Sequence, residues 1–188
     1  MIIINFYTSD LHFEHKNVTK EGTDFDNRPF QTLEEMNTEL IKRWNNKVTN
    51  ADHVYVLGDL VWKCGENAIS IVKQLNGNIH MVTGNHDRFN GEYKKLFVEI
   101  VPYKELNDGD KHLVLCHFPI MFYNGMHHGA IHLYGHVHNS LEEGLFQQMV
   151  ESLNKIEIPS RCYNVGCMLW NYEPVTLDEI LYKNIKEI

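Results

Sequence analysis

Apolar residues fall into two alternating patterns along this chain. Short runs rich in β-branched and aromatic side chains, about Ile2–Thr8, His53–Leu57, Ile79–Thr83, Lys111–Cys116 and Ile131–Tyr134, read as buried strands. Between them the period lengthens. Thr32-Leu33-Glu34-Glu35 has the form of a capping box, and Leu33, Met36, Leu40, Ile41, Trp44 and Val48 then recur at helical spacing. A second helix is expected over about Glu66–Leu75, with Gly77 as its stop. The first half therefore reads β-α-β-α-β, the pattern of a largely parallel sheet.

The second half is less regular. Glu99–Leu106 and Lys111–Cys116 flank Asn107-Asp108-Gly109-Asp110, a hairpin signal. A helix over about Leu141–Leu153, a strand around Arg161–Val165 and a final helix opened by Thr176-Leu177-Asp178-Glu179 complete the reading. This mixture implies an α/β fold, a two-sheet β-sandwich flanked by helices. Without a repeat, a low-complexity tract or a linker, one domain over residues 1–188 is expected. The polar stretch Phe13–Gln31 reads as a long loop with one helical turn at most, and loops of that length are usually functional or disordered.

Chemistry enters where the strands end. Each of the five runs is followed at once by side chains able to bind metal: Asp10 and His12, then Asp59, then Asn85 and His86, then His117, then His136 and His138. In sheets wound with helices, ligands collect outside the carboxyl ends of the strands, so the segments should converge on one site. Asp10/His12 and His136/His138 share i, i+2 spacing, which on an extended segment aims both side chains the same way. Asp59 has two oxygens and can bridge. The mixed nitrogen and oxygen donors, without thiolate, suit Mn²⁺, Fe, Ni²⁺, Co²⁺ or Zn²⁺ better than Ca²⁺ or a closed structural zinc. Seven ligands with one shared are too many for one ion and suit two, which is the arrangement that phosphoester hydrolysis most needs.

The ordered set Asp-x-His, Gly-Asp, Gly-Asn-His-Asp, a lone His and Gly-His-x-His resembles the calcineurin-like metallophosphoesterases, in particular their small uncapped bacterial and phage members. The resemblance runs from Thr8 to His138, with weaker support as far as Pro174. It implies that Asp10, His12 and His138 hold one metal, that Asn85, His117 and His136 hold the other, and that Asp59 bridges them. It further implies attack on phosphorus by a hydroxide shared between the metals, with His86 contacting the phosphoryl group and acting as general acid. One departure stands out. Phosphoprotein-phosphatase members read Gly-Asp-x-x-Asp-Arg at the second motif, and their later Asp orients the catalytic histidine; Trp62 and Lys63 occupy those places here. Protein phosphatase activity is correspondingly not expected. Lys63, His15 and Arg28, the last in the long loop, are further candidates for contacting substrate. His53, His80 and His112 read as structural.

Composition narrows the class. A chain that is 43% hydrophobic and 11% aromatic can bury a core. Its 17 basic and 25 acidic residues give −8, which argues against long DNA, though bound cations would offset part of that charge. The amino terminus lacks the basic region of a signal peptide, and no window approaches a membrane span in length. Cys64, Cys116, Cys162 and Cys167 form no CxxC pair, so a reducing cytoplasm is the expected setting. The chain thus reads as a cytoplasmic phosphoesterase using two divalent transition-metal ions, Mn²⁺ foremost, on small phosphoesters, with phosphodiesters favoured. The alternatives are a nuclease or cyclic-nucleotide phosphodiesterase, or a non-catalytic module of the same fold that binds a protein partner. No length is left for a capping domain, so an open site is expected, with substrate choice made by Phe13–Gln31 and Ile120–Ala130.

Overall fold

The computed structural model describes residues 2–186. Strand β1 (Asn5–Thr8) is followed by helix α1 (Leu33–Lys47), β2 (His53–Leu57), α2 (Glu66–Val72), β3 (Asn78–Val82), the short α3 (Gly91–Lys94) and β4 (Glu99–Val101). These four strands form one parallel sheet in sequence order. Then come β5 (Lys104–Asp108), β6 (Lys111–Leu115), β7 (Ile131–Tyr134), α4 (Leu141–Lys155), β8 (Cys162–Asn164) and α5 (Leu177–Lys186). Strands β5 to β8 form the second sheet, in which β5 and β6 are an antiparallel hairpin and the other pairings are parallel.

The central strands are largely apolar on both faces because helices cover one side of each sheet and the facing sheet covers the other. In β2, Val54 and Val56 pack beneath Met36, Leu40 and Trp44 of α1. The alternate residues Tyr55 and Leu57 face inward, where they join Tyr7, Val82, Leu113, Leu115, Ile131 and Leu133 between the sheets. Phe146 and Val150 of α4 cover the outside of the second sheet against Val114, Tyr134 and Cys162. The Thr32 hydroxyl caps α1 by accepting the Glu35 N–H at 3.1 Å, while the Glu35 carboxylate accepts from Gln31 one residue earlier than a standard box would have it.

Two expectations change. The stretch Glu99–Leu106 is not one strand but two, which belong to different sheets. Pro102 stands between them; its ring carries no N–H to continue a ladder, and there the chain leaves the first sheet for the second. The first strand begins at Asn5, and Ile2, Ile3 and Ile4 precede it as exposed chain. The other elements lie within a few residues of their expected bounds, and the long loop holds one 3₁₀ turn, Lys16–Val18.

The sheets are also joined at β1. Tyr7 exchanges two backbone hydrogen bonds with Val175, Ser9 N–H donates to Val165 O at 3.0 Å, and Cys167 N–H donates to Ser9 O at 2.9 Å. All four cysteines are unpaired, and no described helix is long and apolar enough to cross a membrane. Trp44 is the largest fully buried side chain, and its Nε1–H donates to Asn76 O at 2.8 Å. Trp44→Ala should therefore cost about 3–5 kcal/mol of stability, measured as a lower urea midpoint at unchanged slope.

Candidate metal centre

The carboxyl ends of β1, β2, β3, β6 and β7 bring Asp10, His12, Asp59, Asn85, His86, His117, His136 and His138 to one end of the two sheets. Asp10 is fully buried and belongs to the first sheet, yet its carboxylate accepts the His136 N–H of the second at 3.0 and 3.2 Å, and the Ser9 hydroxyl at 2.7 Å. The backbone here is not extended as the i, i+2 spacing suggests. Asp10, His12, Asp59, His136 and His138 all have φ between 49° and 70°. Left-handed residues cost roughly 1–2 kcal/mol each for non-glycine side chains, so these turns persist only because the surroundings hold them.

Arg28 is the main support for the first turn. Its guanidinium is completely buried and donates to Asp10 O and Leu11 O, each at 2.7 Å, and to the Asp26 carboxylate at 2.7 Å. The other oxygen of Asp26 accepts from His138 Nδ1 at 2.8 Å. One ion pair thus fixes the Asp10-Leu11-His12 turn and the orientation of His138. This corrects the expectation that Arg28 meets substrate, since every nitrogen of its head is engaged beneath the site. Lys63 is exposed and lies off the cavity wall as well. His15 does line the cavity, with Trp62 set edge-on against it at 3.8 Å between ring centroids.

Two supports were not singled out from sequence. Asp26 lies in a polar loop, 112 residues from His138, and leaves no local signature. Asp87 accepts the N–H groups of Asp59 at 2.9 Å, Leu60 at 3.2 Å and Gly84 at 2.8 Å, tying the second motif to the third. Its place after His86 in Gly-Asn-His-Asp was the available clue. Two glycines act by leaving space. A Cβ at Gly84 would run into the Asp59 carboxylate, and one at Gly135 into Ser9 Oγ and the Asp10 carboxylate.

The donor atoms at the site are of the kind that hold a metal. His117 Nδ1 lies 2.8 Å from Leu57 O and must donate to it. Its Nε2 then faces Asn85 Oδ1 at 2.9 Å and Asp59 Oδ2 at 3.6 Å. His138 Nδ1 lies 2.8 Å from Asp26 Oδ1, and its Nε2 faces His12 Nε2 at 3.2 Å and Asp10 Oδ1 at 3.5 Å. Ring nitrogens, carboxylate oxygens and an amide oxygen gathered this closely are the mixed donor set that divalent transition-metal ions take. Ligand atoms of Asp10, His12 and His138 lie within 4.8 Å of one another, as do those of Asp10, Asp59 and His117. Asp10 is common to both groups, while Asp59 Oδ2 stands 3.9 Å from His12 Nε2 and 3.6 Å from His117 Nε2. The His136 ring lies 5.0 Å from that of His117.

The electrostatics carry the same stress. Burial raises the Asp10 pKa although His138 and His117 pull it down. Burial lowers His12, with Arg28 and His138 adding to the effect, and burial then His117 lower His136. For His138, burial acts downward but is outweighed by the Asp26 hydrogen bond and the Asp10 charge, so its pKa rises. His86 is unlike the others. Its ring is 39% exposed, with Nε2 4.0 Å from Asp59 Oδ2, and it packs against Trp62 at 4.7 Å between ring centroids.

A family model of the calcineurin-like phosphoesterases matches residues 6–172. The chain belongs to that family. The chain is 36% identical over 179 residues to an uncharacterised protein of Methanocaldococcus jannaschii, covering 94% of this chain and 88% of the relative. It is 26% identical to the gene 66 protein of Mycobacterium phage L5, over 72% of this chain and 78% of that one. A protein of unknown function from Aquifex aeolicus shares the fold, with a TM-score of 0.73 at 22% identity over 95% of this chain and 98% of the other. Members of the family typically depend on two metals, and the two ligand groups described above are candidates for holding them.

The buried ion pair yields a test. Arg28→Ala leaves Asp26 charged without its partner and two carbonyls without a donor, so it should destabilise the fold by about 3–5 kcal/mol. Asp26→Asn, which keeps an acceptor for His138, should be milder in stability yet weaken Mn²⁺ binding roughly 10–100-fold. Competition with a fluorescent chelator measures the second effect, and unchanged affinity would remove Asp26 from the centre.

Proposed function

We propose that the chain is a two-metal phosphoester hydrolase with a preference for monoanionic diesters. The observation that carries this reading is the set of opposed ring nitrogens and carboxylate oxygens, with one exposed imidazole, His86, beside it. Asp10, His12 and His138 would hold one ion; Asn85, His117 and His136 would hold the other, with Asp59 between them. Mn²⁺ is the first choice for this donor set. Bound there, divalent ions lower the pKa of water and neutralise charge on phosphoryl oxygens. His86, held by its backbone N–H to Asp59 Oδ1 at 3.0 Å and by the Trp62 ring, places a free Nε2 where a leaving oxygen can take its proton.

The diester preference rests on charge. The cavity above the centre, about 860 Å³, has neither Lys nor Arg on its wall, while Asp26 and Glu142 lie on it. Beyond the metals and His86, a dianionic monoester would meet no Lys or Arg, whereas a diester brings one charge fewer. Unpaired cysteines suit a reducing cytoplasm as its setting.

Purified chain loaded with Mn²⁺ and desalted should carry about two ions, and elemental analysis showing only trace metal would end the dinuclear reading. His86→Ala should keep both ions and lose about 10²–10⁴-fold in rate, with a smaller loss for nitrophenolate esters, which need no proton. Under one Mn²⁺ concentration, bis(nitrophenyl) phosphate should show a higher kcat/KM than nitrophenyl phosphate. The reverse order would refute the diester assignment.

A further inference from the structure

Phe25 is 60% exposed although it lies at the edge of a polar site. Its position is nonetheless defined by the centre itself. The ring stands edge-on to His15 at 5.7 Å and tilted over His138 at 6.2 Å. Trp62 also meets His15, edge-on at 3.8 Å, and continues to His86 at 4.7 Å. The two rings therefore share one histidine, one reaching a candidate metal ligand and the other the candidate acid. Both are part of the cavity wall.

The rest of that wall is neutral or acidic. Asn17 and Asn139 belong to it, and among the described residues no hydrogen bond engages either side-chain amide. A ligand suited to such a wall has flat π-faces to stack, a donor and acceptor edge to meet amides, and no added charge. A sugar phosphate has no such face, and a polyphosphate chain would need cations that the wall lacks. Nucleobases have all three properties, since every base has a face on which aromatic side chains stack.

We propose that Phe25 and Trp62 form a base-stacking wall, and that the substrate is a phosphodiester carrying a nucleoside. The proposal rests on the hydrolase reading for the word substrate, but the wall itself is a binding site and is tested as one. Adenosine 5′-monophosphate and ribose 5-phosphate share a phosphate and a ribose, and differ in the base. Titrated calorimetrically into Mn²⁺-loaded chain, the nucleotide should bind at least about tenfold more tightly, in line with stacking on one aromatic ring. Trp62→Leu and Phe25→Ser should each reduce that ratio toward one, with metal content checked by elemental analysis to show that the centre is intact. A ratio near one in the unmodified chain, or a ratio indifferent to both substitutions, would overturn the proposal. So would phenyl phosphate binding as tightly as the nucleotide, because the amide edge would then have no part. A chain that shows the expected ratio but hydrolyses no phosphoester would instead defeat the hydrolase reading and leave the wall standing.

Discussion

A carboxylate taken fully out of water is tolerable only when its charge is met on every side. Asp10 meets that demand by drawing on both sheets. Its oxygens take the His136 N–H from β7 and the Ser9 hydroxyl from its own strand end, and two imidazoles approach the remaining lone pairs. Its backbone oxygen is bound by Arg28. The demand propagates outward. Arg28 is itself a buried charge and needs Asp26, and Asp26 in turn is shared with His138, which returns to Asp10. The ring closes on itself, so no member can be removed without leaving another unpaired.

This closure explains why strained backbone gathers where it does. A left-handed turn at Asp10 or His136 aims carbonyls and N–H groups away from the strand ladder, where they would otherwise continue the sheet. They are satisfied by groups arriving from other segments: Arg28 for Asp10 O, and the Asp10 carboxylate for the His136 N–H. The geometry that suits the side chains is thus purchased with main-chain bonds made across the seam.

The sequence displays the strands and the ligands more openly than it displays what holds them. Short β-branched runs ending in Asp, Asn or His are local facts, and Asp59, Asn85 and His117 converge as their positions after strands imply. The split at Pro102 is harder to see, because the apolar pattern of Glu99–Leu106 continues across it and only the missing donor marks the change of sheet. Spacing of i, i+2 is the same in an extended segment and in a pair of left-handed residues, so the turns at Asp10/His12 and His136/His138 are invisible to it. Asp26 and Arg28, in a loop full of polar residues, look like solvated charges until they pair with each other and with distant groups, His138 for Asp26 and the Asp10 and Leu11 carbonyls for Arg28. Long-range compensation of a buried charge has no period and no spacing.

The backbone that covers β1 closes an edge. β1 is the outer strand of the first sheet, and on its free side Ser9 bonds to Val165 and Cys167 and Tyr7 to Val175. Without those partners Tyr7 and Ser9 would offer unpaired main-chain groups beside exposed Ile2–Ile4, the kind of edge on which neighbouring chains associate. The residues that tie the two sheets together thus also occupy the place where a stranger's strand could extend the first one.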